Sequence, residues 1–182
     1  MNEPSELVSL WLYDALVRRD FVTASILLQG TASLDDLIDE EGDSLLHDAA
    51  DDGDLQMITF YLRFPCPRTL ASFDYIAETP LIRAARNGQA RAVKLLIEAG
   101  ADVDARDADR IGDTATREAV RGGHVEVVRL LIDAGADPTI EGWMRISAVD
   151  QANYEVDTGI DSIEADKIRE LLRTFPCSIR DH

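Results

Sequence analysis

The sequence predicts an all-α fold, a solenoid of about five stacked helix-turn-helix units with atypical units at both ends. The chain has 182 residues, of which 46% are hydrophobic, and this content indicates a folded core. One pattern recurs at intervals of 35 residues: Ala49-Ala50 returns as Ala84-Ala85, and Gly53 returns as Gly88 and Gly123. A second apolar segment follows each block. Neither helix of such a unit buries its apolar face alone, so stacking must supply the core.

The first unit is predicted as a helix pair at residues 7–17 and 21–28. Ala15 occupies the position of the first repeat alanine, and Tyr13 stands where the next unit has His47. This pair lacks the glycine turn of the later units. We therefore expect it to be an N-terminal cap.

The three central units are each predicted to contain two helices. Ser44 and Thr79 suit the N-cap position, and Pro80 suits the first helical position, where its missing N–H costs nothing. Glycine between the two helices suits a tight turn because it adopts positive φ at little cost. Gly100 and Gly135 are typical of helix C-termini. The second helices are predicted at residues 55–62, 90–99 and 125–134.

The last unit keeps the repeat frame at residues 147–152 but delays its second helix to about residues 165–174. Asp161-x-x-Glu164 resembles a capping box at the start of that helix. About eight residues are inserted between the two helices, within 154–163. The whole chain is thus predicted to be a single domain, 1–182, with units at about 5–38, 39–73, 74–108, 109–141 and 142–182.

These blocks resemble the ankyrin repeat family. Its Thr-Pro-Leu-His-x-Ala-Ala signature is nearly intact at residues 44–50 and 79–85, and its His-x-Glu-Val-Val-x-Leu-Leu pattern is complete at 124–131. The resemblance implies an ankyrin-repeat solenoid with hairpin-like connections. It also implies a non-catalytic protein that binds a protein partner through the hairpin tips and the exposed side of the first helices, the concave face.

Carried over position by position, the resemblance implies a set of partner-binding residues on these tips and first helices. They are Asp39, Glu40, Glu41, Asp43, Asp48, Asp51, Asp52, Tyr75, Ile76, Glu78, Arg83, Arg86, Arg110, Ile111, Asp113, Trp143, Met144 and Tyr154.

The charge of the chain narrows the class of partner. It contains 35 Asp and Glu against 18 Lys and Arg, a net charge of −17, which disfavours nucleic acid and anionic membrane as partners. Residues 31–62 contain ten acidic residues and no Lys or Arg. An acidic face steers a basic protein partner, and an inhibitor or immunity-type neutraliser would use it in this way. The alternative is a generic scaffold or adaptor whose acidity serves only solubility.

Four apolar residues are expected to point outward as interface anchors: Tyr75, Ile76, Trp143 and Met144. An alternative stays open for each pair. In the first, Trp143 and Met144 fold over the end of the stack as part of its cap. In the second, Tyr75 and Ile76 pack against Phe73 and the segment 63–67.

The sequence contains no recognisable catalytic set, cofactor motif or metal site. His47 and His124 occupy positions where the family uses imidazoles to bridge turns. Asp102-x-Asp104-x-x-Asp107-x-Asp109 lacks the glycine at the sixth position of a calcium loop. A ligand-regulated sensor or an enzyme with an unrecognised site is the remote alternative.

Cys66 and Cys177 are expected to be free thiols. In the stack they would lie roughly 30 Å apart, too far for a disulfide. The first six residues lack the basic and apolar regions of a signal peptide. We therefore expect a cytoplasmic protein that is monomeric when unbound.

Overall fold

The computed structural model describes residues 4–30, 32–107, 109, 112–153 and 162–175, without the side chains of residues 4–6, 143 and 162. The helices of these residues are α1 (Pro4–Val17), α2 (Phe21–Leu28), α3 (Leu45–Asp52), α4 (Leu55–Tyr61), α5 (Pro67–Ala71), α6 (Pro80–Arg86), α7 (Ala90–Glu98), α8 (Ala115–Arg121), α9 (Val125–Asp133), α10 (Ala148–Asn153) and α11 (Ser162–Leu172). Two short 3-10 helices lie at Leu34–Leu37 and Trp143–Arg145. None of the described residues forms a strand, so the predicted all-α fold is confirmed.

The helices form two layers. The first helices of the units, α3, α6, α8 and α10, pack side by side in chain order. The second helices α4, α7, α9 and α11 form the other layer, and each packs against the first helix of its own unit. Buried residues from Leu12 in α1 to Leu172 in α11 join in one hydrophobic core.

The turn between the two helices of a unit requires glycine. Gly53, Gly88 and Gly123 have φ values of 69°, 68° and 72°, as the sequence predicts. Space is limiting as well, since a Cβ added at Gly88 would lie 2.6 Å from Nδ1 of His124. The second helices α4, α7 and α9 start where the sequence predicts and end one residue earlier.

A helix that the sequence analysis did not predict, α5, lies between α4 and α6. Its N-terminus is capped from a distance, because the Asp35 carboxylate accepts hydrogen bonds from Thr69 N at 2.8 Å, Thr69 Oγ1 at 2.7 Å and Arg68 N at 3.3 Å. Pro67 occupies the first helical position, where no N–H is needed. The acidic residue Asp35 therefore has a structural role, since it stabilises the N-terminus of α5.

The last second helix begins three residues earlier than predicted, at Ser162. The predicted insertion at 154–163 lies almost entirely outside the described residues, as does Cys177. Cys66 is a free, buried thiol whose pKa is raised to about 11 by burial and by the nearby Asp35 carboxylate. Among the described helices, none is long and apolar enough to cross a membrane.

Candidate partner-binding face

The connections that enter α3 and α6 form matching tips. Asp39 N donates to Asp43 O at 3.0 Å in the first tip, and Asp74 N donates to Glu78 O at 3.0 Å in the second. In the first, Asp39 Oδ1 also accepts the N–H groups of Glu41 and Asp43, both at 2.9 Å. These bonds close a narrow hairpin-like turn.

The second tip repeats this geometry 35 residues later. Asp74 Oδ1 accepts the N–H groups of Ile76 at 2.9 Å and Glu78 at 3.0 Å. Ala77 takes a left-handed φ of 65° at the position where the first tip has Gly42, with φ 86°. Together the tips and the exposed side of α3, α6, α8 and α10 form what we call the first-helix face.

The predicted acidic residues of the first unit differ in exposure. Asp39, Glu40, Glu41, Asp48 and Asp52 are exposed, whereas Asp43 and Asp51 are only half-exposed. The exposed fraction of the Asp48 side chain is 65%. A group of solvated carboxylates therefore covers the first tip and the outer side of α3.

Arg83 of α6 neutralises part of this acidic group. Its side chain is only 8% exposed and donates to Asp74 Oδ2 at 2.6 Å and to Asp43 Oδ2 at 3.0 Å. A third contact, at 3.4 Å, joins its Nη1 to Asp48 Oδ1. Because the Asp74 side chain is completely buried, Arg83 acts first as the counter-charge of a buried carboxylate.

Arg86, one turn further along α6, makes a second link between units. Its guanidinium donates to Glu78 Oε1 at 2.6 Å and to Asp51 Oδ1 at 3.0 Å. The Asn87 amide also donates to Asp51 Oδ1, at 2.7 Å. Burial raises the pKa of Glu78, whose Oε2 is buried without a hydrogen-bond partner among the described residues.

A tighter group of charges surrounds α8. Arg117 Nη1 pairs with Asp113 Oδ1, and Arg121 Nη2 pairs with Glu118 Oε2. A longer contact of 3.9 Å joins Arg121 to Asp113. The Glu118 side chain is 4% exposed, and burial, followed by the like charges of Asp113 and Glu78, raises its pKa to about 7 despite Arg121.

The apolar residues that the sequence predicts as interface anchors lie on the tips. Tyr75 and Ile76 are 62% and 44% exposed, and Met144 is 65% exposed. Arg110, Ile111 and Tyr154 lie outside the described residues, as does the side chain of Trp143.

Both histidines singled out by the sequence bridge turns. His47, which is buried, contacts Ser44 Oγ at 3.0 Å and Ser72 O at 3.1 Å. His124 Nε2 contacts Arg86 O, in the preceding unit, at 3.0 Å. Burial lowers the pKa of His47, so this ring is neutral near pH 7.

The aspartates of the calcium-like pattern bind main-chain N–H groups. Asp102 Oδ1 accepts from Asp104 N at 3.0 Å, and Asp104 Oδ1 accepts from Asp137 N at 2.9 Å. In the part of the chain that the structure describes, no three His, Cys, Asp or Glu side chains are grouped so that they could hold a metal ion.

The repeat geometry agrees with comparisons of the sequence. A family profile of ankyrin repeats in three copies matches residues 46–141, more than half of the chain. The chain belongs to the ankyrin repeat family. Ankyrin repeats generally mediate protein–protein interaction and are typically non-catalytic.

A solved structure supports the same relationship. The crystal structure of an ankyrin repeat domain from Acinetobacter baumannii AYE has a TM-score of 0.71 and 27% sequence identity to this ankyrin repeat chain. The match covers 90% of this chain and 79% of that one. No curated protein sequence matches the chain.

The burial of Asp74 and Glu118 was not visible from the ankyrin register. Both lie at positions where the family exposes side chains, yet their exposed fractions are 0% and 3%. Glu78 and Asp113 stand at equivalent tip positions 35 residues apart, four residues after Asp74 and five residues before Glu118. This spacing does not distinguish a buried carboxylate from an exposed one.

Proposed function

We propose that this ankyrin repeat chain is a non-catalytic binding module that holds a basic protein partner against the acidic end of its first-helix face. The observation that carries the proposal is the group of exposed carboxylates Glu40, Glu41, Asp48 and Asp52. Residues 31–62 contain no Lys or Arg, and among these four Asp48 has an arginine contact, to Arg83 at 3.4 Å. Such a surface attracts basic proteins over distances of about 10 Å, the Debye length at ordinary salt.

The ion pairs divide the acidic residues into two classes. Asp43 and Asp51 are bound by Arg83 and Arg86, so they contribute less to the field in front of the face. Among the described residues, no arginine forms an ion pair with Glu40 or Glu41 at the first tip. We assign the partner's basic side chains to this tip and to the outer side of α3.

Apolar anchoring would come from the following tips. Tyr75 and Ile76 occupy the positions of Glu40 and Glu41 one repeat later, and Met144 lies on the tip before α10. Exposed aromatic and methionine side chains are favoured at the centres of interfaces. The partner would therefore meet carboxylates at one end of the face and apolar side chains further along it.

The biological role that fits this surface is that of an inhibitor or immunity-type neutraliser in the cytoplasm. Many basic proteins use clustered Lys and Arg to bind phosphate groups. A row of fixed carboxylates competes for those same side chains. The module would then block the partner by occupying its anion-binding cleft.

One observation favours the generic scaffold instead. The contacts of Asp43, Asp48 and Asp51 with Arg83 and Arg86 link neighbouring units, so part of the acidity stabilises the stack. In that case binding would depend on shape and apolar contact. It would change little with salt.

Affinity capture with matched charge variants separates the two. The test variant is Glu40→Lys/Glu41→Lys, because Asp39 and Asp43 hold the tip together and are unsuitable. The control Glu98→Lys/Asp133→Lys makes the same change in net charge on the second-helix layer. We expect the test variant to lose the captured protein, and the control to keep it.

Salt titration of the captured complex completes the test. The affinity of the wild-type chain should fall steeply as ionic strength rises. Equal binding by the two charge variants, together with a flat salt dependence, would reject the acidic-face proposal in favour of the scaffold.

A further inference from the structure

The N-terminal helix pair exposes an unusual amount of apolar surface. Among the described residues, eleven large hydrophobic side chains are exposed, and seven of them lie on α1 or α2. We define the N-terminal patch as Leu7, Leu10, Trp11, Val17, Val22 and Ile26.

The patch follows the helical periodicity of both helices. On α1, Leu7, Leu10, Trp11 and Val17 lie on one stripe, while Leu12 and the residues around it face the core. On α2, Val22 and Ile26 are one turn apart and are 72% and 64% exposed. The two helices pack against each other, and each stripe lies opposite the buried residues of its own helix.

A repeat array normally ends in a polar surface. The last helix, α11, follows this rule, since its exposed positions include Glu164, Asp166, Lys167 and Glu170. In and next to α1 and α2 the exposed positions include the six apolar residues of the N-terminal patch, beside the exposed polar residues Asp14, Arg18 and Thr23.

The size of the patch matches an ordinary protein interface. From their exposed fractions of 41% to 72%, the six side chains present about 700 Å² to solvent. A stable interface buries about 800 Å² on each partner, and the largest patch on a typical monomer measures about 300–600 Å². The exposed area of the N-terminal patch is therefore close to the area that one side of a stable interface buries.

Charge selects the occupant. Between Pro4 and Gly30 three acidic residues stand against two arginines, whereas the whole chain has a net charge of −17. At a nearly neutral surface two copies of this acidic chain approach each other with little electrostatic repulsion. A basic partner has no carboxylate cluster to bind there.

We propose that the N-terminal patch is the interface of a two-fold dimer of this chain, with α1 of one copy packed against α1 of the other. A two-fold axis brings the same patch from each copy and closes the assembly at two. The exposed Asp14–Arg18 pair, 2.9 Å apart on α1, is self-complementary across antiparallel helices. This assignment departs from the monomer that the sequence analysis expects. It leaves the first-helix face open at the far side of α3.

Sedimentation velocity of the full chain over a wide concentration range tests the dimer. We expect a reversible monomer–dimer equilibrium, weakened about 100-fold or more in the Trp11→Glu/Ile26→Glu variant. The matched control is Tyr75→Glu/Ile163→Glu, since these side chains are 62% and 61% exposed elsewhere on the molecule. The control should dimerise as the wild type does.

A second variant separates a loss of dimerisation from a loss of folding. Val22→Glu/Ile26→Glu changes only α2 and leaves α1 intact. Circular dichroism will show whether each variant keeps its helices. A folded wild-type chain that stays monomeric at every concentration would overturn the proposal. Dimers that resist both patch variants, or growth beyond two copies, would overturn it as well.

Discussion

Asp48 in α3 and Glu118 in α8 occupy the same position of the repeat, two periods apart, yet their environments are opposite. The Asp48 side chain is 65% exposed, and the Glu118 side chain is 4% exposed. The repeat register thus determines which side of a helix a residue occupies. Whether a carboxylate there is solvated or buried depends on what the neighbouring units place against it.

The neighbours of α8 explain its burial. It lies between α6 and α10, and the tip before α10 comes so close that a Cβ on Gly142 would clash with Oδ1 of Asp113. That approach covers the charges around Glu118. On α3 the acids receive cationic contacts from α6 on one side, while Asp48 and Asp52 remain open to solvent. The acids of α3 are therefore partly solvated, whereas those around α8 are covered by the neighbouring units.

The largest expected effect on stability comes from Arg83, which links α6 to the acids of the preceding unit and neutralises Asp74. Arg83→Met removes the counter-charge of Asp74, whose side chain is fully buried, and should lower the free energy of unfolding by about 3–5 kcal/mol. Urea unfolding at pH 7 measures it. Arg86→Met is the control, because the Arg86 side chain is 31% exposed and its pairs should contribute only about 1 kcal/mol.

A double variant identifies the cause of that loss. Asp74→Asn removes the buried charge, and its carbonyl oxygen still accepts the Ile76 and Glu78 N–H groups. Arg83→Met/Asp74→Asn should therefore be more stable than Arg83→Met alone. If the two losses add instead, the buried Asp74 charge is not the reason.

A smaller effect concerns the pH dependence of α8. The pKa of Glu118 is raised from 4.5 to about 7, so the folded chain holds this proton more tightly than the unfolded chain. The resulting stabilisation is complete below pH 4.5 and is lost as the pH rises to about 7, by about 1–3 kcal/mol. Glu118→Gln cannot lose a proton and should flatten this part of the stability profile.

Unfolding free energies of both chains at pH 5 and pH 8 give the comparison. Between these values the wild-type chain should lose more stability than Glu118→Gln. Identical changes in the two chains would mean that Glu118 ionises normally in spite of its burial.

Local features of the fold could be predicted from the sequence because they depend on nearby residues. Gly88 predicts a turn because glycine readily adopts the positive φ that the turn requires. Thr79 and Pro80 predict a helix start because the N-cap and first helical positions favour these residues without any distant contact. The helix α5 was missed because its cap, Asp35, lies more than 30 residues away in the chain. Non-local contacts of this kind leave no trace in a periodic pattern.

The repeat register also gives equivalent positions within the face. It puts Asp48, Arg83 and Glu118 at the same position of α3, α6 and α8. It did not reveal that Arg83 is buried, since this follows from the packing of Asp74 beneath it. The sequence does not predict the apolar surface of α1 either, because only the burial of Leu12 and Leu16 shows which side of this apolar helix faces the core.

The smallest expected effect lies at Asp48, the exposed member of the pair. Asp48→Asn keeps the size of the side chain and removes only a solvated charge that contacts Arg83 at 3.4 Å. Exposed ion pairs contribute little, so the free energy of unfolding should change by less than about 0.5 kcal/mol at both pH 5 and pH 8. Urea titrations of Asp48→Asn beside Glu118→Gln compare one register position in two environments. A loss above about 1 kcal/mol at Asp48 would show that the acidic end stabilises the stack as α8 does, and would remove the reason for reserving it for a partner.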